Sequence, residues 1–264
     1  TKLKELVEND IKKGKDKLDS LIASSDGIQL CSDEIISVYH RANVLFNIMR
    51  GGVFKDNYFI EKNSIIKYVK IHLKKLSSND LEILELLPLK FKHYELGDLL
   101  SNASNDLIRV CFEYLPLVFS RRHGDPSRPW NKFSIKTKDN QGNEIVGFQG
   151  NWRDIFQNWE ALALSFPKFN NTFILKFLNA STSDGYNPYR ITSEGIEWEL
   201  EDPNDPWSSI GYWGDHQIIY LLKLLEFSFK INQDTLLKLF NKDSFVFANV
   251  PYELKSFNEL QKDP

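Results

Sequence analysis

The chain has 264 residues, 42% of them hydrophobic, with a net charge of −3 and a pI near 6.0. A fold of that size buries roughly 70–75% of its unfolded surface, so neither a disulfide nor a metal is needed to make a core. The charge balance excludes the basic footprint of a nucleic-acid-binding domain, and no apolar run approaches the roughly 18–20 residues that span a bilayer.

Residues 3–22 place Leu3, Leu6, Val7, Ile11, Leu18, Leu21 and Ile22 largely at three- and four-residue spacings among Lys and Asp, which predicts an amphipathic helix. Ser32 is placed to cap a second helix, with Asp33 and Glu34 at the positive end of its dipole; Gly51-Gly52 stops it. Asn63 or Ser64 opens a third helix that ends by Ser77-Ser78-Asn79. Residues 79–87 and 94–101 read as shorter helices, and Ser104 caps another that runs towards Phe119. Cys31 and Cys111 fall within these apolar patterns and are expected to be buried thiols.

The pattern changes at residue 121. Arg121-Arg122-His123-Gly124-Asp125-Pro126 is too rich in Gly and Pro for a helix. The runs 133–137 and 143–148 then flank a Lys-Asp-Asn-Gln-Gly turn and predict a β-hairpin. Helices resume at 152–165 and 168–179. A second hairpin is expected from 189–192 and 196–200, followed by helices at 215–230 and 234–241. Nothing alternates strand and helix as a doubly wound sheet requires. The expectation is a mainly α, single-domain chain of antiparallel helices, with irregular or hairpin insertions at 121–150 and 181–213.

All six tryptophans lie between Trp130 and Trp213. A Trp cluster mixed with Arg, Asp, Gln and His and broken by Gly and Pro reads as a concave ligand site. Within it, Gly150-Asn151-Trp152-Arg153-Asp154 puts Arg153, Asp154 and Gln157 in the first turns of a helix, where polar side chains and free backbone N–H groups together suit hydroxylated ligands. The plainer reading has Asp154 serving the helix dipole. Asp215, after Tyr212-Trp213-Gly214, falls at another helix start, with His216 beside it and Trp207 shortly before. Arg121, Arg122, His123 and Arg128 form a possible anion site, or else a solvated basic linker. The five histidines are scattered and no HExxH or CxxC spacing occurs, so no metal or organic cofactor is expected.

The order Trp152-Arg153-Asp154 with Gln157, then Ala161-Leu162-Ala163-Leu164, a Pro-initiated helix, Asp184-Gly185-Tyr186-Asn187-Pro188-Tyr189-Arg190, and Gly214-Asp215-His216-Gln217 resembles the cellobiose phosphorylase and cyclic-glucan synthase group of (α/α)6-barrel enzymes. The likeness covers roughly residues 150–230. It implies all or part of a six-hairpin glycosidase-like toroid with inverting acid–base chemistry on an oligosaccharide or glucoside. It further implies Asp154 and Asp215 as the catalytic candidates, with Trp152, Arg153, Gln157, Trp207, Trp213 and His216 as substrate contacts. In a phosphorylase, inorganic phosphate would be the co-substrate, and the 121–128 cluster could hold it. Trp152 replaces that group's Phe, one of its paired aspartates is Gly214 here, and its downstream general-acid motif does not occur before Pro264. The rival expectation is a non-catalytic helical ligand-binding or protein-interaction domain. The chain opens without Met, shows no signal peptide, and closes on Gln261-Lys262-Asp263-Pro264. The expectation is therefore a segment of a longer, cytoplasmic parent chain, the remainder of which would be its partner.

Overall fold

The computed structural model describes residues 2–25, 31–118, 138–198, 204, 218–241, 243–250, 258 and 261–262. The chain is mainly helical with small antiparallel sheets. Helix α1 (Lys2–Ser24) follows its amphipathic pattern. Helix α2 (Glu34–Gly51) is capped by Asp33, whose carboxylate accepts from the N–H groups of Ile35 and Ile36, so the cap lies one residue beyond Ser32. Gly52 ends the helix at φ 84°, a conformation that costs a glycine little. Cys31 precedes α2 and is exposed, contrary to expectation, with its thiol against Asp33 O and Ser37 Oγ; Cys111 is buried.

Strand β1 (Val53–Phe54) leaves α2, and β4 (Leu117–Val118) returns beside it, pairing Val53 with Val118 and Phe54 with Leu117. Between them lie β2 (Phe59–Glu61), α3 (Lys62–His72), α4 (Ser78–Leu86), β3 (Lys90–Lys92), a 3-10 turn (His93–Glu95), α5 (Leu96–Leu99) and α6 (Asn105–Phe112). Strands β2 and β3 pair in antiparallel register. This excursion has its own core, made by Ile60, Ile65, Val69, Leu84, Phe91, Leu96, Leu107 and their neighbours. Asp80 ties it together: its carboxylate accepts from Ser104 N–H at 2.9 Å, joining the start of α4 to the start of α6. Ser104 in turn caps α6 through Leu107 N–H, as its position predicts. Helix α6 stops at Phe112, short of Phe119, because β4 takes over the chain.

The second core belongs to α7 (Trp152–Ser165), α8 (Asn170–Ala180) and α9 (Ile218–Phe240). On α7, Trp152, Ile155, Phe156, Trp159, Leu162 and Ala163 recur at helical spacing and are all buried. Phe156 and Trp159 meet Phe177 and Phe173 of α8 at ring separations of 4.9 and 5.1 Å. Fully burying side chains of this size contributes roughly 1.5–3 kcal/mol each. Helix α9 is broken at Asn232, whose φ of −159° and ψ of 87° leave the helical region. The Asn232 side-chain oxygen accepts from Thr235 N–H, capping the second half. Two expected helices thus run as one kinked element.

Strands β5 (Gln149–Asn151), β6 (Arg190–Thr192) and β7 (Ile196–Glu197) make a three-stranded antiparallel sheet. The second expected hairpin is its β6–β7 pair; β5 joins it unannounced by its sequence, Gln-Gly-Asn. Of the first hairpin, 133–137 lies outside the described residues. Residues 143–148 contribute an isolated bridge, Glu144 with Lys138.

Helices α2 and α7 make a close crossing. Trp159 Nε1–H donates to Gly51 O at 3.0 Å. A Cβ placed on Gly51 would lie 2.9 Å from Asn158 Cβ and 3.3 Å from the Asn158 carbonyl carbon. Gly51→Ala should therefore lower stability by about 1–2 kcal/mol, because the overpacking against backbone outweighs the roughly 1 kcal/mol gained in helix propensity. Urea midpoints at constant slope check this, and a midpoint equal to or above that of the parent would contradict it.

Candidate functional site

The start of α7 is mounted on the three-stranded sheet. Trp152 N–H donates to Tyr189 O at 2.9 Å, Asn151 pairs with Arg190 across β5 and β6, and Tyr189 N–H donates to Glu197 O. The Asp184–Arg190 segment folds back through Thr182, whose hydroxyl accepts from Tyr186 N–H, and Asn187 is buried against Ser181. Two pieces of the sequence pattern, the Trp-Arg-Asp helix start and the Asp-Gly-Tyr-Asn-Pro-Tyr-Arg segment, are therefore neighbours in space. Packing at this junction is tight: a Cβ on Gly150 would lie 3.2 Å from Ile155 Cβ.

Asp154 is buried, and Arg153 Nε stands 3.7 Å from its Oδ1. Asn158 Nδ2 donates to the Asp154 carbonyl. Gln157 is exposed on the same helix. Trp152 departs from the expectation of a ligand-facing ring. It is 1% exposed and packs against Phe156 and Phe177, so it backs the helix start from the core. The reason is its spacing from Ile155, Phe156 and Trp159, which puts it on the apolar face of α7. Trp152 Nε1 has no hydrogen-bond partner among the described residues. Trp159, also in the Trp-rich window, is core as well. Glu160, a further carboxylate of that region, is held by Lys223 of α9 at 3.1 Å. Arg121, Arg122, His123, Arg128, Trp207, Trp213, Asp215 and His216 lie outside the described residues.

A second polar region lies along α8 and has little signature in the sequence. Thr172, Lys176 and Asn179 repeat at four and three residues along α8, and all three face the excursion between β1 and β4. Thr172 Oγ1 donates to Phe112 O at 2.8 Å, so its lone pair accepts from His93 Nε2 at 3.0 Å, which places the imidazole proton on Nε2. Lys176 Nζ donates to Tyr68 Oη at 3.0 Å, and Asn179 Nδ2 to Glu113 Oε1 at 2.6 Å. At the root of the excursion the contacts are aromatic instead: Phe54 stacks on Phe169 at 3.9 Å and Tyr58 on the same ring at 5.4 Å. A single Lys in the otherwise apolar run Thr172-Phe173-Ile174-Leu175-Lys176-Phe177-Leu178 was the available signal.

Two clefts flank this seam. One, of about 440 Å³, is bounded by Glu61, Lys67 and Tyr114 of the excursion and by Asp139, Glu144 and Glu194 opposite. The Asp139 carboxylate accepts from the Asn143 side chain and from the N–H groups of Asn143 and Gln141, which together hold it below the usual carboxylate range. The other cleft, of about 150 Å³, is bounded by Tyr68, His72, Arg109, Glu113 and Lys176. Among the described residues no group of His, Cys, Asp and Glu is arranged to hold a metal ion, and no helix is long and apolar enough to cross a membrane.

Residues 54–116 match the family model of glycoside hydrolase family 149 insertion domain 1. This segment is therefore similar to a glycoside hydrolase insertion domain. The match spans roughly a quarter of the chain, and its limits fall at the β1–β4 ladder, where the chain leaves and rejoins the rest of the fold. No curated protein matches the chain.

His93 gives the seam a pH dependence. Burial pushes its imidazole down to about 3, against about 6.5 in an unfolded chain. The unfolded state therefore binds the proton first. The contribution of the neutral ring is complete above about pH 6.5 and is lost as pH falls towards 3. Between pH 7 and pH 5 the parent should lose about 1–2 kcal/mol more than His93→Gln, whose amide does not titrate in this range. Urea unfolding of both proteins at the two pH values checks this; equal losses would contradict it.

Proposed function

We propose that the chain is part of a carbohydrate-active enzyme, a glycoside hydrolase or glycoside phosphorylase, acting on an oligosaccharide or glucoside. The observation that carries the reading is the match of residues 54–116 to a glycoside hydrolase insertion domain, bounded by a ladder that joins α2 to the rest of the scaffold. Support comes from the start of α7, where Arg153 and Asp154 sit beside Gln157 and next to the Asp184–Arg190 segment.

In this reading α1, α2, α7, α8 and α9 are helices of an (α/α) toroid. Arg153, Asp154 and Gln157 hold sugar hydroxyls together with Asp215, His216, Trp207 and Trp213. Trp152 supports them from behind. Inverting chemistry needs two carboxyls about 6.5–9.5 Å apart, and Asp154 and Asp215 are the pair we assign. In a phosphorylase, phosphate replaces water as the nucleophile, and Arg121, Arg122, His123 and Arg128 supply the anion contacts. A cytoplasmic location goes with this assignment. A second reading, a non-catalytic interaction domain, draws on the exposed apolar side chains of α2 and α9, among them Ile35, Tyr39, Leu222 and Phe229.

Titration with a panel of glucosides and short glucans, with and without phosphate, followed by tryptophan fluorescence, distinguishes the two. The carbohydrate reading expects a saturable shift with at least one sugar, weakened at least about tenfold in Arg153→Ala, the loss of one charge-assisted hydrogen bond. Circular dichroism should show an unchanged fold in that variant. A flat response to every sugar from the folded parent would contradict it and favour the interaction domain.

A further inference from the structure

Lys176 is an ammonium group in an unusual place. It is 6% exposed, on a helix whose neighbouring positions Phe173, Ile174, Leu175 and Phe177 are all buried. Its Nζ has three hydrogens to donate. Among the described residues it makes one hydrogen bond, to Tyr68 Oη, and no carboxylate lies within ion-pairing distance. The remaining contacts are ring faces: Nζ is 5.3 Å from the Tyr68 centroid and 5.6 Å from that of Phe148. The nearest relevant carboxylate, Glu113, is committed elsewhere, accepting from Asn179 at 2.6 Å and standing 3.7 Å from Arg109.

The lysine nevertheless borders an open cleft. Together with Tyr68, His72, Arg109, Glu113 and Asn179 it bounds the 150 Å³ cleft between the excursion and the sheet. The cleft opens to solvent and has room for a small aldehyde.

We propose that Lys176 is a reactive-amine site that binds small aldehydes reversibly as an imine. The neutral Nζ lone pair attacks the carbonyl carbon. A C–N bond forms, the carbonyl oxygen takes the proton that nitrogen loses, and a carbinolamine results. Its C–O bond then breaks, the oxygen leaves as water with a second proton, and C=N forms. The sum is amine plus aldehyde giving imine plus water, with no oxidant or reductant.

The surroundings fit each requirement. Burial pushes the Lys176 amine down to about 8, with Glu113 opposing the shift, so a useful fraction carries its lone pair near neutral pH. The Tyr68 hydroxyl, driven well above its ordinary range by burial, stays protonated and is placed to give a proton to the departing oxygen. His72, lowered by burial, stays neutral and adds no charge at pH 7, while Arg109 balances Glu113. Glu194 acts on His72 from the sheet side.

The test uses the whole chain with glycolaldehyde as the probe and cyanoborohydride to trap the imine, read by peptide mass spectrometry at each lysine from pH 6 to pH 10. Lys176 should be labelled at least about tenfold faster at pH 7 than the typical surface lysine, whose amine titrates near 10.4. Its rate should level off above about pH 8, while the surface lysines continue to rise. In urea the advantage should vanish, since the fold creates it. In Tyr68→Phe, which keeps the ring, labelling of Lys176 should slow selectively. Labelling of Lys176 no faster than at the surface, a rate that climbs without levelling to pH 10, or an advantage that survives urea would each overturn the proposal.

Discussion

The close approach of α2 to α7 at Gly51 is the contact on which the rest of the arrangement depends. Without a side chain at Gly51, the end of α2 can rest on Asn158, and its carbonyl can take the indole proton of Trp159. That single bond satisfies two groups that would otherwise be buried unpaired, at a cost of roughly 1–3 kcal/mol each. It also fixes where the chain leaves the helix. Gly52 turns with positive φ, Val53 and Phe54 become β1, and Phe54 lands on Phe166 and Phe169 at the foot of α8. The position of the segment 54–116 is set by the aim of this exit.

The segment is joined to the scaffold by two kinds of surface. The root is aromatic and continuous with the scaffold core. The remainder, along Thr172, Lys176 and Asn179, is polar. Hydrogen bonds of this kind contribute about 0.5–1.5 kcal/mol each, less than the burial supplied by the thirteen buried residues of the segment's own core. The segment is therefore stabilised mainly from within, and α8 presents it with groups that water can also satisfy. The same helix reaches the start of α7 through Phe177, which packs against Trp152. One aromatic layer thus lies under both the seam and the candidate sugar site.

Much of this is legible in the sequence. The apolar spacing of α7 marks its limits, Trp152 to Ser165, because one face is buried throughout. Ser104 and the Gly51-Gly52 stop are readable because capping and positive φ are local chemistry. The break near 230 is readable because Asn232 can cap the second half of α9. Strands β1 to β5 are not: each has two or three residues, too few for an alternating pattern, and their pairing is decided by partners far along the chain. The reading of Trp152 as a ligand-facing ring fails for a related reason. Composition alone does not separate a ring that lines a site from one that supports it; its spacing relative to Ile155 and Trp159 does. The α8 seam is invisible because it needs Tyr68, His93 and Glu113, which lie far away in sequence. Of the candidate sugar site, the α7 half is legible, and its link to Tyr189 and Arg190 rests on β5, which the sequence does not announce.

Excision tests directly whether the α7–α9 scaffold and residues 54–116 hold separate cores that meet at the β1–β4 ladder. Residues 56–114 are replaced with a short turn joining β1 to β4, and the shortened chain is unfolded in urea while helix content and tryptophan fluorescence are followed. Separate cores predict a single cooperative transition in which both probes coincide, with the α7–α9 aromatic core intact and the polar stripe of α8 facing water. Loss of the cooperative transition, or a chain that collapses without fixed tryptophan environments, would show that the scaffold needs the lobe and that the two cores are not independent.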